Sequence, residues 1–81
     1  MTNSIEQKLS ELAVGVEVTL AGINNYYPQK TFLLELGFTA DSRITVLRKA
    51  PFGDPLHVRV RDSEFAILKA DAENIFVKAL L

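Results

Sequence analysis

Apolar and polar residues alternate along several short stretches of this chain, a pattern typical of strands with one buried face. In one stretch Leu56, Val58 and Val60 would share one side of a strand, with polar residues on the other side. Five stretches with this alternation or a short apolar run predict five strands: 16–21, 44–49, 56–61, 64–68 and 75–77.

The segment between the first two predicted strands has helical spacing instead. Leu33 and Leu36 fall on one helical face, and Pro28 suits the first helical position because its missing N–H costs nothing there. Gly37 supplies a left-handed terminator. The apolar pair Leu9 and Leu12 predicts either one further helical turn near the start of the chain or an N-terminal arm whose apolar side chains tuck against the fold.

The loop 50–55 joins two of the predicted strands and has the composition of a hairpin connection. Pro51 fixes one φ angle, and Gly53 permits a positive φ. Pro55 stands at the strand entrance, where no ladder donor is needed. We expect Asp54 to hold this turn by accepting backbone N–H bonds.

Five short strands and one helix predict a mostly β fold, namely a small SH3-like barrel with the short helix inserted after the first strand. Residues 69–74 allow another helical turn. The length of 81 residues predicts a single domain spanning residues 1–81. Because the chain begins with Met1 and its motifs start within ten residues, we expect a complete small protein.

The composition of the chain argues against several classes of function. The formal net charge of −1 argues against general nucleic-acid binding, which needs a basic surface. The absence of cysteine excludes disulfides, thiol nucleophiles and cysteine-ligated metals, and it favours the cytosol for so small a domain. No apolar run approaches the ~20 residues of a membrane-spanning helix.

Candidate chemistry is sparse. His57, with Asp54 and Glu64 as the nearest plausible oxygen ligands, would make a weak transition-metal site, so we interpret it as a solvated strand residue. No phosphate-binding glycine loop and no nucleophile motif is present. We therefore expect no enzyme activity and no catalytic, cofactor-binding or metal-binding residues.

Aromatic residues in two loops predict a protein-binding surface. Tyr26 and Tyr27 precede the helix, and Phe52 lies at the tip of the hairpin loop, where a ring is hard to bury. His57 and Arg59 would form its rim. The alternatives are that one tyrosine ring caps an open barrel end and that Phe52 folds back as core.

Six segments of the chain stand out as motifs: 9–12 with Gly15, 33–38, 50–55, 58–60, 65–69 and 72–77. Together they resemble the FeoA family, the small companions of the FeoB ferrous-iron transporter. The resemblance runs from about Lys8 to Val77. Two departures stand at turns: Ala40-Asp41 replaces the Pro-Gly that the family tends to have, and Asp62 replaces a glycine, where we expect it to take the left-handed conformation.

The resemblance implies an SH3-like fold and a cytosolic accessory role in bacterial ferrous-iron uptake. The implied partner is the cytosolic region of FeoB, so the chain would meet the membrane only through that partner; weak self-association stays open. No iron-binding residue is implied, because the shared motif residues look structural. Two alternatives remain: an SH3-like module of an iron-dependent transcription regulator, and a small RNA- or ribosome-binding barrel.

Overall fold

The computed structural model describes residues 6–78, which form an antiparallel sheet with short helices. The helices are α1 (Lys30–Leu36) and α2 (Lys69–Ala72), and 3₁₀ turns occupy Leu9–Glu11 and Pro51–Gly53. The six strands are β1 (Glu6–Lys8), β2 (Glu17–Ile23), β3 (Arg43–Lys49), β4 (Leu56–Val60), β5 (Ser63–Ile67) and β6 (Ile75–Lys78).

The strand order is β1-β6-β2-β3-β4-β5, and every neighbouring pair is antiparallel. All five predicted strands are present, and the mostly β class is confirmed. The sixth strand, β1, was not predicted because its three residues are polar; its pairing with β6 places Gln7 opposite Val77. Within residues 6–78 the two end strands, β1 and β5, do not pair with each other.

The core is built from the apolar side of these strands. Val58 and Val60 of β4 are buried, as the alternation predicted, and full burial of one such side chain contributes about 1.5–3 kcal/mol. Leu9 and Leu12 of the predicted helical turn are also buried. The other buried apolar residues are Val18, Leu20, Ile23, Leu33, Phe38, Ile44, Val46, Leu56, Ile67, Ala72, Ile75 and Val77.

Helix α1 begins at Lys30, so the prediction of Pro28 as its first residue is wrong; Pro28 lies in the preceding turn. Its end was predicted correctly. Gly37 has φ 114°, and the N–H of Phe38 bonds the carbonyl of Leu33 at 3.1 Å, which closes the last turn. Leu33 is fully buried, whereas Leu36 is only partly buried against the core.

Two bulges modify the strands that the alternation predicted. β2 continues through Gly22 to Ile23, past its predicted end, with a register shift between Leu20 and Gly22. β3 shifts register against β4 between Val46 and Arg48. The two-face alternation predicted for β3 is therefore interrupted.

At each of the two turns where the chain departs from the FeoA pattern, a residue other than glycine adopts the left-handed backbone conformation. Asp41 has φ 69° and takes the position where the family tends to have glycine. At the turn between β4 and β5 the left-handed residue is Arg61, with φ 56°; the prediction that Asp62 takes that conformation is wrong. Both turns therefore form without glycine.

Candidate partner-binding surface

The loop between β3 and β4 projects Phe52 into solvent. The N–H of Ala50 bonds the carbonyl of Pro55 at 3.0 Å, and the N–H of Gly53 bonds the carbonyl of Ala50 at 2.8 Å. Gly53 has the predicted positive φ, at 80°, and Phe52 is itself left-handed at 68°. The Phe52 side chain is 103% exposed. The alternative in which this ring folds back as core is therefore wrong.

Asp54 connects this loop to the start of α2. Its Oδ1 accepts the backbone N–H of Lys69 at 2.9 Å. The prediction that Asp54 accepts a backbone N–H is confirmed, but the donor belongs to α2 and not to the hairpin turn. Because the first N–H groups of a helix lack partners within the helix, this carboxylate acts as a cap supplied by a distant loop.

The two neighbouring tyrosines have different environments. Tyr26 is 92% exposed, and its backbone N–H bonds Asn24 Oδ1 at 3.0 Å. Tyr27 packs against the core, and its hydroxyl donates to the Asp71 carboxylate on α2. That hydrogen bond, with burial and the Asp71 charge, raises the pKa of Tyr27 to about 12. Tyr27 therefore has structural contacts, whereas Tyr26 presents a free ring.

Helix α2 thus holds both aromatic loops in place. One loop is fixed by the bond from Asp54 to Lys69, and the other by the bond between Tyr27 and Asp71. A further bond joins Asn24 Nδ2 to Oδ1 of Asn74, just beyond α2, at 3.0 Å. Although it has only four residues, α2 is the common attachment point of the two segments that carry Phe52 and Tyr26.

A third exposed apolar side chain stands at the start of α2, the helix to which both aromatic loops are bonded. Leu68, directly before α2, is 59% exposed. We name Tyr26, Phe52 and Leu68 together the aromatic-loop surface. The sequence interpretation missed Leu68 because it placed this residue in a strand, although strict alternation with the buried Ile67 already predicts an outward side chain.

The two predicted rim residues lie on β4 and already have partners within the chain. A guanidinium nitrogen of Arg48 donates to His57 Nδ1 at 3.3 Å; Nδ1 must accept, because a guanidinium only donates. Arg59 pairs with Glu64 across β4 and β5 at 3.3 Å, with both side chains about half exposed. An exposed pair of this kind contributes little to stability.

Arg61, the residue directly after β4, anchors the turn that follows this strand. Its Nε donates to Ser42 Oγ at 3.1 Å, and a terminal nitrogen donates to Thr39 Oγ1 at 3.0 Å. Of His57, Arg59 and Arg61, only Arg59 pairs with a carboxylate within residues 6–78; the other two side chains are held in place by partners that do not offset positive charge.

The residues suggested as weak metal ligands are not assembled into one site. Asp54 bonds Lys69, His57 bonds Arg48 and Glu64 pairs with Arg59. Across residues 6–78 there is no group of three or more His, Cys, Asp or Glu side chains placed to hold a metal ion. Residues 6–78 also form no pocket. None of the helices in this range is long and apolar enough to cross a bilayer.

Comparison with known proteins agrees with the resemblance noted in the sequence. A model of the FeoA domain family matches residues 7–79. A curated relative is the Fe(2+) transport protein A/Fe(2+) transporter FeoB fusion protein of Porphyromonas gingivalis, 30% identical over 73 residues. The match covers 90% of this chain but only 9% of that protein, so the chain spans a small part of its length.

Solved structures share the fold. A FeoA-like protein from Clostridium acetobutylicum has a TM-score of 0.86 and 30% identity, covering 100% of this chain and 92% of that one. FeoA of Stenotrophomonas maltophilia, solved with zinc and described as a prokaryotic SH3 domain protein, has a TM-score of 0.76 and 27% identity over 88% of each chain. The predicted SH3-like class is thereby confirmed.

A manganese-dependent transcriptional repressor contains the same fold as part of a longer chain. Its TM-score is 0.86 at 24% identity, and the likeness covers 98% of this chain and 44% of that one. At this identity the likeness shows the fold alone.

Proposed function

This chain belongs to the FeoA domain family, and from that premise we propose that it is a non-catalytic accessory protein of bacterial ferrous-iron uptake. It acts in the cytosol by binding a FeoB-type transporter through the transporter's cytosolic region, and it reaches the membrane only through that partner.

The observation that carries this proposal is the fusion relative. In the Porphyromonas gingivalis protein a FeoA part and a FeoB part belong to one polypeptide. Covalent linkage keeps two binding modules at a high effective concentration, so it favours modules that work in contact. The separate chain would need its own binding surface to reach the same arrangement.

The aromatic-loop surface supports such a contact. Phe52 and Tyr26 are nearly fully exposed, and aromatic side chains are enriched among residues that dominate binding energy. Their loops are already fixed to α2 by the Asp54 and Tyr27 bonds. Less conformational entropy is therefore lost on binding than with free loops.

These exposed side chains suit a protein–protein contact rather than the binding of a metal ion or of a small molecule in a pocket. We place Tyr26, Phe52 and Leu68 at the centre of the contact, with His57 and Arg59 at its edge. Tyr27 takes part by holding Tyr26 in position. Charged side chains of the transporter's region would meet the mixed rim around Arg59 and Glu64.

A binding assay with purified components tests the proposal. The chain is immobilised and exposed to detergent-solubilised FeoB, then to the isolated cytosolic region of FeoB. We expect both to be retained, and the soluble region to compete with the full transporter. Retention of the full transporter without any competition would place the contact elsewhere, and retention of neither would contradict the proposed function.

A further inference from the structure

Among residues 6–78, strand β5 is an end strand of the sheet, and proline, lysine and a β-bulge, which often protect such an edge, are absent from it. Its five residues, Ser63–Ile67, include no proline and no lysine, and they pair with β4 in continuous register without a bulge. The opposite end strand, β1, has only three residues and ends in Lys8. Short length and lysine discourage added strands, so β5 is the more receptive edge.

The hydrogen-bonding pattern shows which backbone groups point outward from β5. The N–H of Arg61 bonds Arg43 on the β3 side, so by alternation the backbone of Val60 and Val58 points toward β5. Val58 lies opposite Phe65, which is therefore bonded to β4. It follows that the N–H and C=O groups of Glu64 and Ala66 point away from the sheet.

We propose that this edge pairs with the same edge of a second copy of the chain. The two β5 strands run antiparallel about a two-fold axis at Phe65, so that Glu64 of one copy lies opposite Ala66 of the other. The outward N–H and C=O groups of these residues then form four backbone hydrogen bonds, two for each Glu64–Ala66 pair. The two sheets become one continuous sheet.

The distribution of charged side chains on β5 favours pairing of two copies in this register. Each Glu64 faces an alanine rather than another carboxylate, and it is already paired with Arg59 in its own copy. A register centred on Glu64 would instead place two carboxylates opposite each other, which is destabilising. The net charge of −1 gives little long-range repulsion between copies.

Phe65 adds an apolar contact at the centre of this interface. Its ring is only partly buried and packs against Phe38, with centroids 5.8 Å apart. On the two-fold axis the exposed parts of the two Phe65 rings meet, and aromatic cross-strand pairs stabilise antiparallel sheets. Because one short strand from each copy makes the contact, the dimer is weak and forms at high concentration.

Charge substitutions at Ala66 test both the dimer and its register. Ala66→Glu places a carboxylate opposite Glu64 of the second copy, and Ala66→Lys places an ammonium there. Two such pairs form in each dimer, so sedimentation equilibrium should show about 2- to 30-fold weaker association for A66E and tighter association for A66K. The double variant Glu64→Lys, Ala66→Glu should restore association.

Thermal melting of each variant shows that the monomer is intact, since Ala66 is exposed. In the wild type, amide hydrogen exchange of Glu64 and Ala66 should slow as concentration rises, while exchange at Gln7 on the opposite edge should not change. A chain that stays monomeric up to millimolar concentration, or equal association of A66E and A66K, would overturn the proposal. So would protection of these amides only after FeoB is added.

Discussion

The side-chain carboxylate of Asp54 accepts the backbone N–H of Lys69 at 2.9 Å, although the two residues are fifteen positions apart. The first belongs to the loop that presents Phe52, and the second opens α2. Because the hydroxyl of Tyr27 bonds Asp71 on the same helix, α2 fixes both aromatic loops. The arrangement of the aromatic-loop surface therefore depends on polar bonds beside it.

Replacing Asp54 by alanine should remove the cap from α2. We expect Asp54→Ala to lower the free energy of unfolding by about 0.5–2 kcal/mol, as with other lost helix caps. Urea denaturation measures this. Asp54→Asn keeps an acceptor oxygen and should lose less. Asp62→Ala, in an exposed turn, is the matched control, and an equal loss there would contradict the capping role.

Gly53 should resist substitution because of its backbone conformation alone. A Cβ at Gly53 or at Gly22 would meet no atom within 4 Å, so space is equal at the two sites. Of these two glycines only Gly53 has a positive φ, and a side chain in that backbone conformation costs roughly 1–2 kcal/mol. Thermal unfolding should therefore show that Gly53→Ala is destabilising and Gly22→Ala nearly neutral; equal effects would exclude backbone strain as the cause.

The bond between Tyr27 and Asp71 should make stability depend on alkaline pH. The pKa of Tyr27 is raised from the ordinary value of 10 to about 12, so folding favours the protonated phenol. The contribution of the Tyr27–Asp71 hydrogen bond to the free energy of unfolding is complete below pH 10 and is lost as the pH rises to 12. The wild type should lose more stability in this interval than Tyr27→Phe. Tyr26→Phe, which keeps the bond, should behave like the wild type.

Helix α1 should owe its attachment mainly to Leu33. This side chain is 1% exposed, and Leu33→Ala should cost about 2–5 kcal/mol. Leu36 is only partly buried, so Leu36→Ala should cost less, about 1–2 kcal/mol. Chemical denaturation of the two variants measures the difference. The reverse order would mean that the buried face of α1 is assigned incorrectly.

The local features of this fold were predictable from the sequence. Alternation located the strands because each buries one face, and Gly37 and Gly53 marked positive φ because other residues avoid it. Strand β1 was missed because a short polar edge strand has no such pattern. The left-handed residue after β4 was assigned to Asp62 rather than Arg61, since turn composition does not determine which of two residues adopts it.

The candidate surface was only half predictable. The loop positions of Phe52 and Tyr26 favoured exposure without excluding burial, and the role of Tyr27 was not predictable, because its partner Asp71 lies 44 positions away. The bond from Asp54 to Lys69 is equally non-local. Such contacts depend on how the sheet brings loops together, which the residue pattern does not encode.

Phe52 gives the most direct test of the proposed transporter contact. Because its ring is fully exposed, Phe52→Ser should change the free energy of unfolding by less than about 0.5 kcal/mol. Calorimetry against the cytosolic region of FeoB should nevertheless show about 30-fold weaker binding or worse, as expected for a central aromatic contact. Val14→Ser, at an exposed site in another turn, should bind normally. Unchanged affinity of a stable Phe52→Ser variant would contradict the account.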